Sequence, residues 1–487
     1  MTTSIRTVGK HHVVAPRRQD WRRGFEDLPR QHGFEPLRVE GRIPMDLHGN
    51  FYWNGPGLLS AFGKPYGHWF DGDGAVGAVR FEGDGARGAV RLIETPALAA
   101  ERLAGRRLYS RLLSRSPNPL RERFFGRTRN PTNVNVVIHD GRLLALGIGR
   151  PMVMSEEDLA TLGELDPSDV KLRSFCAHPH WHPRRRALYG FSSLLGKRTT
   201  LDVIELRSEG RRRLLTSIPI KAPSLVHDCA VTANHVILAV PPLRFRVWPV
   251  LLNLRSAWRA LEWDADATTE LVIVPIDNPD RVVRVEMPPF FSFHFANAYE
   301  ERPGRIVVDL PCSEGFVRVG TWLEGIAQGC AAEAPDSQMR RIVVDLAAQH
   351  AAFEPLGASV GEMPRVSPRV ETGRHRFIYH VGFRPDHTGA PDLLHKLDVV
   401  TGSSQAIELG RDAYPSEPVI VPRADGAAED DAYLLTLVYD SAAHASHVAI
   451  LDAARPCDGT LARVYFDHHV PFTFHGAWAP AASDAAN

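Results

Sequence analysis

The stretch FSFHFANAYEE (residues 291–301) places a histidine, His294, inside an apolar, strand-like run. Three other stretches share this arrangement: FCAHPH (175–180) with His178, VHDCAVT (226–232) with His227, and PFTFHGAWAP (471–480) with His475. Four such histidines, from residue 178 to residue 475, indicate imidazoles gathered at one point from separate strands. A ring of neutral imidazoles is a metal site, and imidazole suits iron, copper, zinc and nickel.

The length and composition of the chain limit the classes of protein to which it can belong. The chain has 487 residues, and 44% of them are apolar, which is enough for a large core. Lysine plus arginine and aspartate plus glutamate number 57 each, which argues against a nucleic-acid binder that works through bulk charge. The five cysteines are scattered without a CxxC pair, which favours a reducing compartment over a disulfide framework.

The N-terminal sequence and the hydropathy of the chain predict its location. Residues 1–25 are basic but are not followed by an apolar stretch, so they do not form a secretory signal. No run approaches the roughly 20 apolar residues that a membrane-spanning helix needs. We therefore expect a bacterial-type cytoplasmic protein that is soluble or lies on a membrane surface.

Short apolar runs separated by turn residues recur along the chain and predict an all-β fold. Examples are GRLLALGIG (141–149), GRIVVDLP (304–311) and DAYLLTLVYD (431–440). Helical patterns are few: residues 155–165 and 251–263 are the best candidates, and residues 339–349 read equally well as a strand. Many short strands without a clear linker favour a β-propeller, and a β-sandwich is the alternative.

The spacing of the four histidines supports the propeller. The intervals are 49, 67 and 181 residues, and a blade typically takes about 40–50 residues. Ligands from four blades converge only near the central axis. We predict an N-terminal extension over residues 1–30 and one propeller domain over residues 31–487, with cap insertions around 100–130 and 241–263.

With these residues in place, the chain resembles the carotenoid cleavage oxygenase family, which includes apocarotenoid and stilbene-cleaving dioxygenases and retinoid isomerohydrolases. The resemblance covers roughly residues 30–480 and takes in all four histidine stretches. The other matching segments are LHGNFYWNGPG (47–57), HWFDGDGAV (68–76), PTNVNVV (131–137), EMPRVSPRV (362–370) and SEPVIVPRADGAAEDDAYLLTLVYD (416–440).

The resemblance implies a seven-bladed β-propeller with a helical and loop cap over one face. It also implies non-haem Fe²⁺ held by His178, His227, His294 and His475, with no catalytic residue beyond the metal centre. In similar proteins three glutamates accept hydrogen bonds from three of the histidines. Two of them match here: Glu362, which we expect to hold His294, and Glu417, which we expect to hold His475.

The third glutamate is missing. Where similar proteins carry tryptophan and glutamate, this chain has Gly147 and Ile148. We expect a buried isoleucine that cannot accept a hydrogen bond from His227, and more room near the metal at Gly147. Loss of such a partner typically costs about 10–100-fold in metal affinity or activity.

Several side chains invite a second interpretation. Cys176 and Cys229 each lie two residues from a histidine ligand candidate, and core packing is the better reading than metal ligation. The segments 108–127 and 241–263 mix arginine with leucine and aromatic residues, which suits either a membrane interface or an ordinary cap. Phe293, Phe474, Gly147 and Ile148 are candidates for the walls of an apolar substrate tunnel, and plain core packing is the alternative for the two phenylalanines.

The resemblance implies an enzyme that joins O2 to a conjugated C=C bond of a carotenoid or apocarotenoid and yields two carbonyl products. The alternatives are a stilbene-cleaving dioxygenase, a non-oxidative isomerase on the same scaffold, and a lipid-binding propeller without activity. The expected partners are O2, a hydrophobic polyene and a membrane surface. The sequence implies neither a nucleic acid nor a protein partner.

Overall fold

The structure is a computed structural model. It describes residues 20–481 except 110, 112–128, 166–173, 195–198, 209–210, 331–332, 386–388 and 424–427. Most of the predicted cap insertion around 100–130, including the segment 108–127, therefore lies outside the described residues, as do residues 1–19 of the predicted extension. Within that extension Trp21 is buried and packs on the aromatic cap.

Seven antiparallel sheets, each a blade, follow one another around an axis, which confirms the predicted seven-bladed β-propeller. Blade 1 contains Gly476–Pro480, Gly49–Leu58, Asp73–Glu82, Gly85–Leu92 and His32–Pro36. Blade 2 contains Asn135–His139, Arg142–Leu146, Met152–Met154 and Thr161–Glu164. Blade 3 contains His180–His182, Ala187–Leu194, Thr199–Arg207 and Arg212–Ile220. Blade 4 contains Cys229–Val231, His235–Val240, Thr269–Pro275 and Val283–Met287. Blade 5 contains Asn297–Arg302, Arg305–Cys312, Gln338–Asp345 and His350–Val360. Blade 6 contains Glu362–Arg365, Phe377–Gly382, Leu393–Asp398 and Ser404–Ile407. Blade 7 contains Ala413–Pro415, Val419–Pro422, Ala432–Asp440, Ala445–Asp452, Thr460–Tyr465 and Arg38–Gly41.

The position of a strand within its blade explains its hydrophobic pattern. Middle strands are covered on both faces by the neighbouring blades, so Ala432–Asp440 is buried at every residue but the last and reads as one apolar run. The outermost strand Arg212–Ile220 carries accessible side chains among buried ones, and its buried side chains include Leu215, Ile218 and Ile220. Blades therefore cannot be recognised from alternation alone.

Both ends of the described chain close the ring. The C-terminal strand Gly476–Pro480 pairs with Gly49–Leu58 in blade 1. The N-terminal strand Arg38–Gly41 pairs with Thr460–Tyr465 in blade 7. Each of these two blades thus contains strands from both ends of the sequence, so the ring opens only if these pairings break.

Helices and short hairpins form a cap over one face of the propeller. Among the described residues the α-helices are Pro96–Ala104, Val247–Leu251 and Phe316–Ala327, and the cap hairpins pair Leu243–Phe245 with Leu261–Trp263 and Ser60–Ala61 with Lys64–Pro65. The 3-10 helices of the cap are Asp20–Phe25, Trp69–Asp71 and Trp258–Ala260. Two others lie outside the cap: Pro368–Val370 contacts Val419–Pro422, and Pro456–Asp458 joins Ala445–Asp452 to Thr460–Tyr465. Aromatic side chains from the cap and from the propeller join in one cluster that includes Trp69, Trp258 and Phe293. The indole N–H of Trp258 donates to the carbonyl of Gly320 at 3.2 Å, which ties two cap segments together.

The structure corrects the helix predictions. Residues 155–165 form a turn and the strand Thr161–Glu164, because Leu159 and Gly163 adopt positive φ angles of 61° and 142° that an α-helix does not allow. Residues 251–263 contain only the end of one short helix, the 3-10 turn Trp258–Ala260 and the strand Leu261–Trp263. The ambiguous stretch 339–349 is largely the strand Gln338–Asp345, as its Val-Val core allows.

Candidate metal centre

The four histidines occupy equivalent positions in four blades. Each lies one to three residues before the first strand of its blade: His475 before Gly476–Pro480, His178 before His180–His182, His227 before Cys229–Val231 and His294 before Asn297–Arg302. The first strand is the edge strand of each sheet. Because the blades are arranged around one axis, residues at the start of these strands converge, as the spacing predicts.

The imidazole rings form a compact cluster. The ring centroid of His178 lies 4.6 Å from that of His227, 4.9 Å from that of His294 and 4.6 Å from that of His475. The Nε2 atoms of His178 and His227 are 3.0 Å apart. Ligand nitrogens of His178, His294 and His475 all lie within 4.8 Å of one another. Residues up to 297 positions apart in the chain are thus brought within reach of one ion.

Two glutamates orient two of these rings. Nδ1 of His294 lies 2.8 Å from Oε2 of Glu362, and Nδ1 of His475 lies 2.8 Å from Oε1 of Glu417. Both glutamates come from the next blade edge, since Glu362 starts Glu362–Arg365 and Glu417 precedes Val419–Pro422. With Nδ1 bound to a carboxylate, each ring directs Nε2 towards the cluster, and its basicity is raised.

Burial keeps most of the cluster neutral. Burial and the neighbouring imidazoles lower the pKa of His178 and His227 well below the ordinary range. Burial also lowers the pKa of His475 despite the charge of Glu417. At His294 burial acts in the same direction, but the hydrogen bond and charge of Glu362 outweigh it and raise the pKa. Neutral imidazole is the form that binds metal.

The donor set fits a transition-metal ion. Nε2 of His294 is buried and has no hydrogen-bond partner among the described residues, a costly state for a ring nitrogen unless something else engages it. Two facing Nε2 atoms, as in His178 and His227, can share only one proton, so a cation between the rings would use both lone pairs. Four neutral nitrogen ligands suit iron, copper, zinc or nickel.

The segment that replaces the missing glutamate differs from expectation. Ile148 is not buried, since 43% of its surface is accessible, and it lines a cavity beside His227. Among the described residues His227 has no carboxylate partner, and its ring packs against Phe293 with centroids 4.9 Å apart. A Cβ at Gly147 would lie 2.8 Å from Cα of Thr132. A side chain at Gly147 would therefore meet the backbone of Thr132, although Gly147 itself lines the cavity.

A cavity of about 500 Å³ reaches the histidine cluster from the side of the cap. Its walls are mainly apolar and aromatic, and they include Phe70, Phe293 and Phe474 together with His227 and His475. Phe293 and Phe474 belong at the same time to the aromatic cap cluster, so their roles as wall and as core coincide. An apolar molecule in this cavity would lie directly against the imidazoles.

The two cysteines beside the cluster belong to the core. Cys229 is fully buried, and its thiol donates to the carbonyl of His178 at 3.8 Å. A hydrogen bond with Cys176 and burial raise the pKa of Cys229 well above its usual value, which disfavours the thiolate that binds a metal. Sγ of Cys229 lies within 4.8 Å of ligand atoms of His180 and Asp228, but in its protonated form it is a weak ligand.

Sequence reasoning missed a buried charged group at the wall of the apolar cavity. Nη1 of Arg129 lies 2.7 Å from Oε2 of Glu101, and Arg111 donates to the carbonyl of Asp71 at 2.9 Å. Arg111, Arg129 and Asp71 all line the cavity. These residues come from three separate segments without any local motif, so only the tertiary structure identifies them as one group.

Comparison with known proteins gives one family. The sequence model of the family described as retinal pigment epithelial membrane protein matches residues 25–480 of this chain. The chain is 31% identical to the apocarotenoid-15,15'-oxygenase of Synechocystis sp. over 95% of its length and 96% of that protein, and 29% identical to resveratrol cleavage oxygenase 1 of Aspergillus fumigatus over 94% and 97%. The crystal structure of a cobalt-substituted Synechocystis ACO superposes with a TM-score of 0.88 at 29% identity, covering 95% of this chain and 99% of that one.

Proposed function

Because the chain belongs to the family of the retinal pigment epithelial membrane protein and the carotenoid cleavage oxygenases, we propose that it cleaves a conjugated C=C bond of a carotenoid or apocarotenoid with O2. The observation that carries this proposal is the contact between a four-imidazole cluster and an apolar cavity of about 500 Å³. The products are two carbonyl compounds. A relative of this chain is named as an apocarotenoid oxygenase.

The metal in this proposal is Fe²⁺, held by His178, His227, His294 and His475. When bound, iron supplies the electrons and the template that bring O2 and an alkene together. Imidazole also accommodates zinc, copper and nickel, so iron follows from the oxygenase reaction and not from the ligands alone. Glu362 and Glu417 fix the ring orientation of two ligands.

The other residues bind and shield the substrate. Phe70, Phe293 and Phe474 give the polyene a flat, apolar wall, and they exclude water from the bond that is cleaved. Phe293 contacts the ring of His227, so a polyene against Phe293 lies beside the metal. No protein acid or base is required, because the bond between two carbons breaks without proton transfer.

Product analysis tests the proposed reaction. Iron-loaded protein is incubated with a panel of carotenoids, apocarotenals and hydroxystilbenes, and products are identified by mass. We expect loss of visible absorbance and aldehydes from a polyene, with one oxygen atom of labelled O2 in each product. His475→Ala should abolish the products. Aldehydes from hydroxystilbenes alone would favour the stilbene alternative, and products free of label would favour an isomerase.

We also propose that the protein takes its substrate from a membrane surface. Around the helix Val247–Leu251, Trp248 is 70% exposed and Leu254 is 62% exposed, with Arg244 and Arg246 nearby. This segment borders Phe245 and Trp258, which line the apolar cavity. Exposed aromatic and leucine side chains with arginine suit the headgroup region. No helix among the described residues is long and apolar enough to cross a membrane.

Vesicle sedimentation tests this surface. Trp248→Glu should reduce binding to vesicles that contain anionic lipids, because a carboxylate replaces the most exposed aromatic side chain of the segment. Val400→Glu is the matched control, since Val400 is 73% exposed on the loop that joins Leu393–Asp398 to Ser404–Ile407. Equal binding of both variants and the unmodified protein would contradict the proposal.

A further inference from the structure

A second cavity, of about 380 Å³, meets the histidine cluster from the side opposite to the apolar cavity. His294 and His475 line both cavities, whereas His227 lines only the apolar one and His178 only the second one. The imidazoles therefore form the partition between two spaces of different character. Nε2 of His294, buried and without a hydrogen-bond partner among the described residues, belongs to this partition.

The walls of the second cavity are polar and charged, and we call it the polar cavity. Its ionisable wall residues, apart from the cluster, are His180, Asp228, Arg365, Glu371 and Glu417. It also borders the exposed residues Pro368 and Pro480, so it extends to the protein surface. Three carboxylates face Arg365 and His180, and Nε2 of His180 lies 3.0 Å from Oδ1 of Asp228, so the wall carries more acidic than basic side chains.

The three carboxylates are not equally available to a ligand. Asp228 accepts from the backbone N–H of Cys229 at 2.6 Å and from that of Phe295 at 2.8 Å, and Glu417 accepts from Gly476 and His475. Glu371, in contrast, makes no hydrogen bond or ion pair with any described residue. It lines the cavity beside Arg365 and His180, whose charges oppose the rise that burial causes in the pKa of its carboxyl.

A hydrated divalent cation cannot readily cross the apolar cavity. Removing an ion from water into an apolar space costs several kcal/mol or more even after the protein relaxes. A polar cavity with more acidic than basic side chains avoids this cost and concentrates cations, and charged clefts can raise association rates about 10- to 1000-fold. The metal therefore needs an approach other than the path of the polyene.

We propose that the polar cavity is the route by which the divalent metal reaches the four histidines, with Glu371 and His180 as the first protein groups it meets. The hydrated ion exchanges water for the carboxylate of Glu371 and then for the imidazoles of His178, His294 and His475, which border the cavity. The route separates metal loading from substrate binding. The inference rests on the proposed metal centre but not on the cleavage reaction.

The test is the rate at which metal-free protein takes up Co²⁺, followed by its visible absorption after rapid mixing. We expect Glu371→Gln to slow association at least about threefold and Glu371→Lys to slow it further, because each step removes attraction for a dication. The equilibrium affinity should change less than the rate, since the final ligands are the same. Added salt should slow Co²⁺ association with the unmodified protein more than association with the Glu371→Lys variant.

Ile148→Trp is the matched control, because it narrows the apolar cavity and leaves the polar one intact. Uptake by this variant should keep the rate of the unmodified protein. An unchanged rate in both Glu371 variants, or a slower rate in Ile148→Trp than in Glu371→Gln, would overturn the route. Rapid Co²⁺ uptake in a protein that cleaves no polyene would refute the proposed reaction and leave the route standing.

Discussion

Replacing Glu417 by glutamine should weaken metal binding more than the same change at Glu362, although each glutamate orients one histidine. Oε1 of Glu417 accepts from His475 at 2.8 Å, and Oε2 accepts from the backbone N–H of Gly476 at 2.9 Å. Glutamine has one acceptor oxygen, so its NH2 group must face one of these two donors. At Glu362 a single oxygen, Oε2, accepts from both His294 and Met363. A glutamine there keeps both bonds.

The expected magnitude follows from these contacts. A buried donor without a partner costs about 1–3 kcal/mol, and Glu417 is only 4% exposed. Loss of a partner that orients a metal ligand typically costs about 10–100-fold in affinity. We expect Glu417→Gln to lie in this range and Glu362→Gln to stay below about tenfold, because only the charge of the acceptor is lost there.

Competition with a chelator measures the dissociation constant of Co²⁺ or Fe²⁺ for each variant. Thermal unfolding of the metal-free proteins serves as the control, since it separates a loss of fold stability from a loss of metal affinity. Equal losses of affinity in the two variants would refute the reasoning, as would a larger loss in Glu362→Gln.

Three further outcomes are expected. Ile148→Glu should restore a carboxylate near His227 and raise Co²⁺ affinity by up to about 10–100-fold. A titration with Co²⁺ measures this affinity, and an unchanged value would show that the new side chain does not reach the ring of His227. Arg129→Ala removes the nearest cation from the buried carboxylates Glu101 and Asp73 and leaves Glu101 only the longer contact with Arg111, at 3.4 Å. The free energy of unfolding by denaturant should therefore fall by up to about 3–5 kcal/mol, and a neutral change would contradict this. Burial and a neighbouring histidine lower the pKa of His380 to about 3, so the native state stays neutral there while the unfolded chain takes up a proton. Stability should be complete above about pH 6.5 and decline as the pH falls towards 3, and His380→Gln should reduce this slope in denaturant titrations.

The sequence predicted those features that repeat from blade to blade. Each histidine lies one to three residues before the edge strand of its blade, so local sequence and approximate spacing placed His178 and His294 near one axis. The family resemblance supplied Glu417 and the number of blades. The seven sheets confirm that number, and it did not follow from periodicity because strand and loop lengths vary between blades.

Features that depend on tertiary context were not predictable. The pattern of residues 155–165 is helical by composition, but pairing of Thr161–Glu164 with Met152–Met154 overrides it. Ile148 was expected to be buried at the position of the missing glutamate, yet it lies beyond the end of Arg142–Leu146 and faces a cavity. The polar cavity, with Arg365 and Glu371, is lined by residues from all seven blades and has no local signal.

The central claim, that four blades build a single metal centre, is tested most directly by the metal content of purified protein. The unmodified protein is compared with four variants, in each of which one of the four histidines is replaced by alanine. Elemental analysis after anaerobic loading with Fe²⁺ should give one iron per chain in the unmodified protein. It should give a marked loss in all four variants while their circular dichroism stays that of a folded β protein. Full iron occupancy in any one of these variants would contradict a single centre built by four blades.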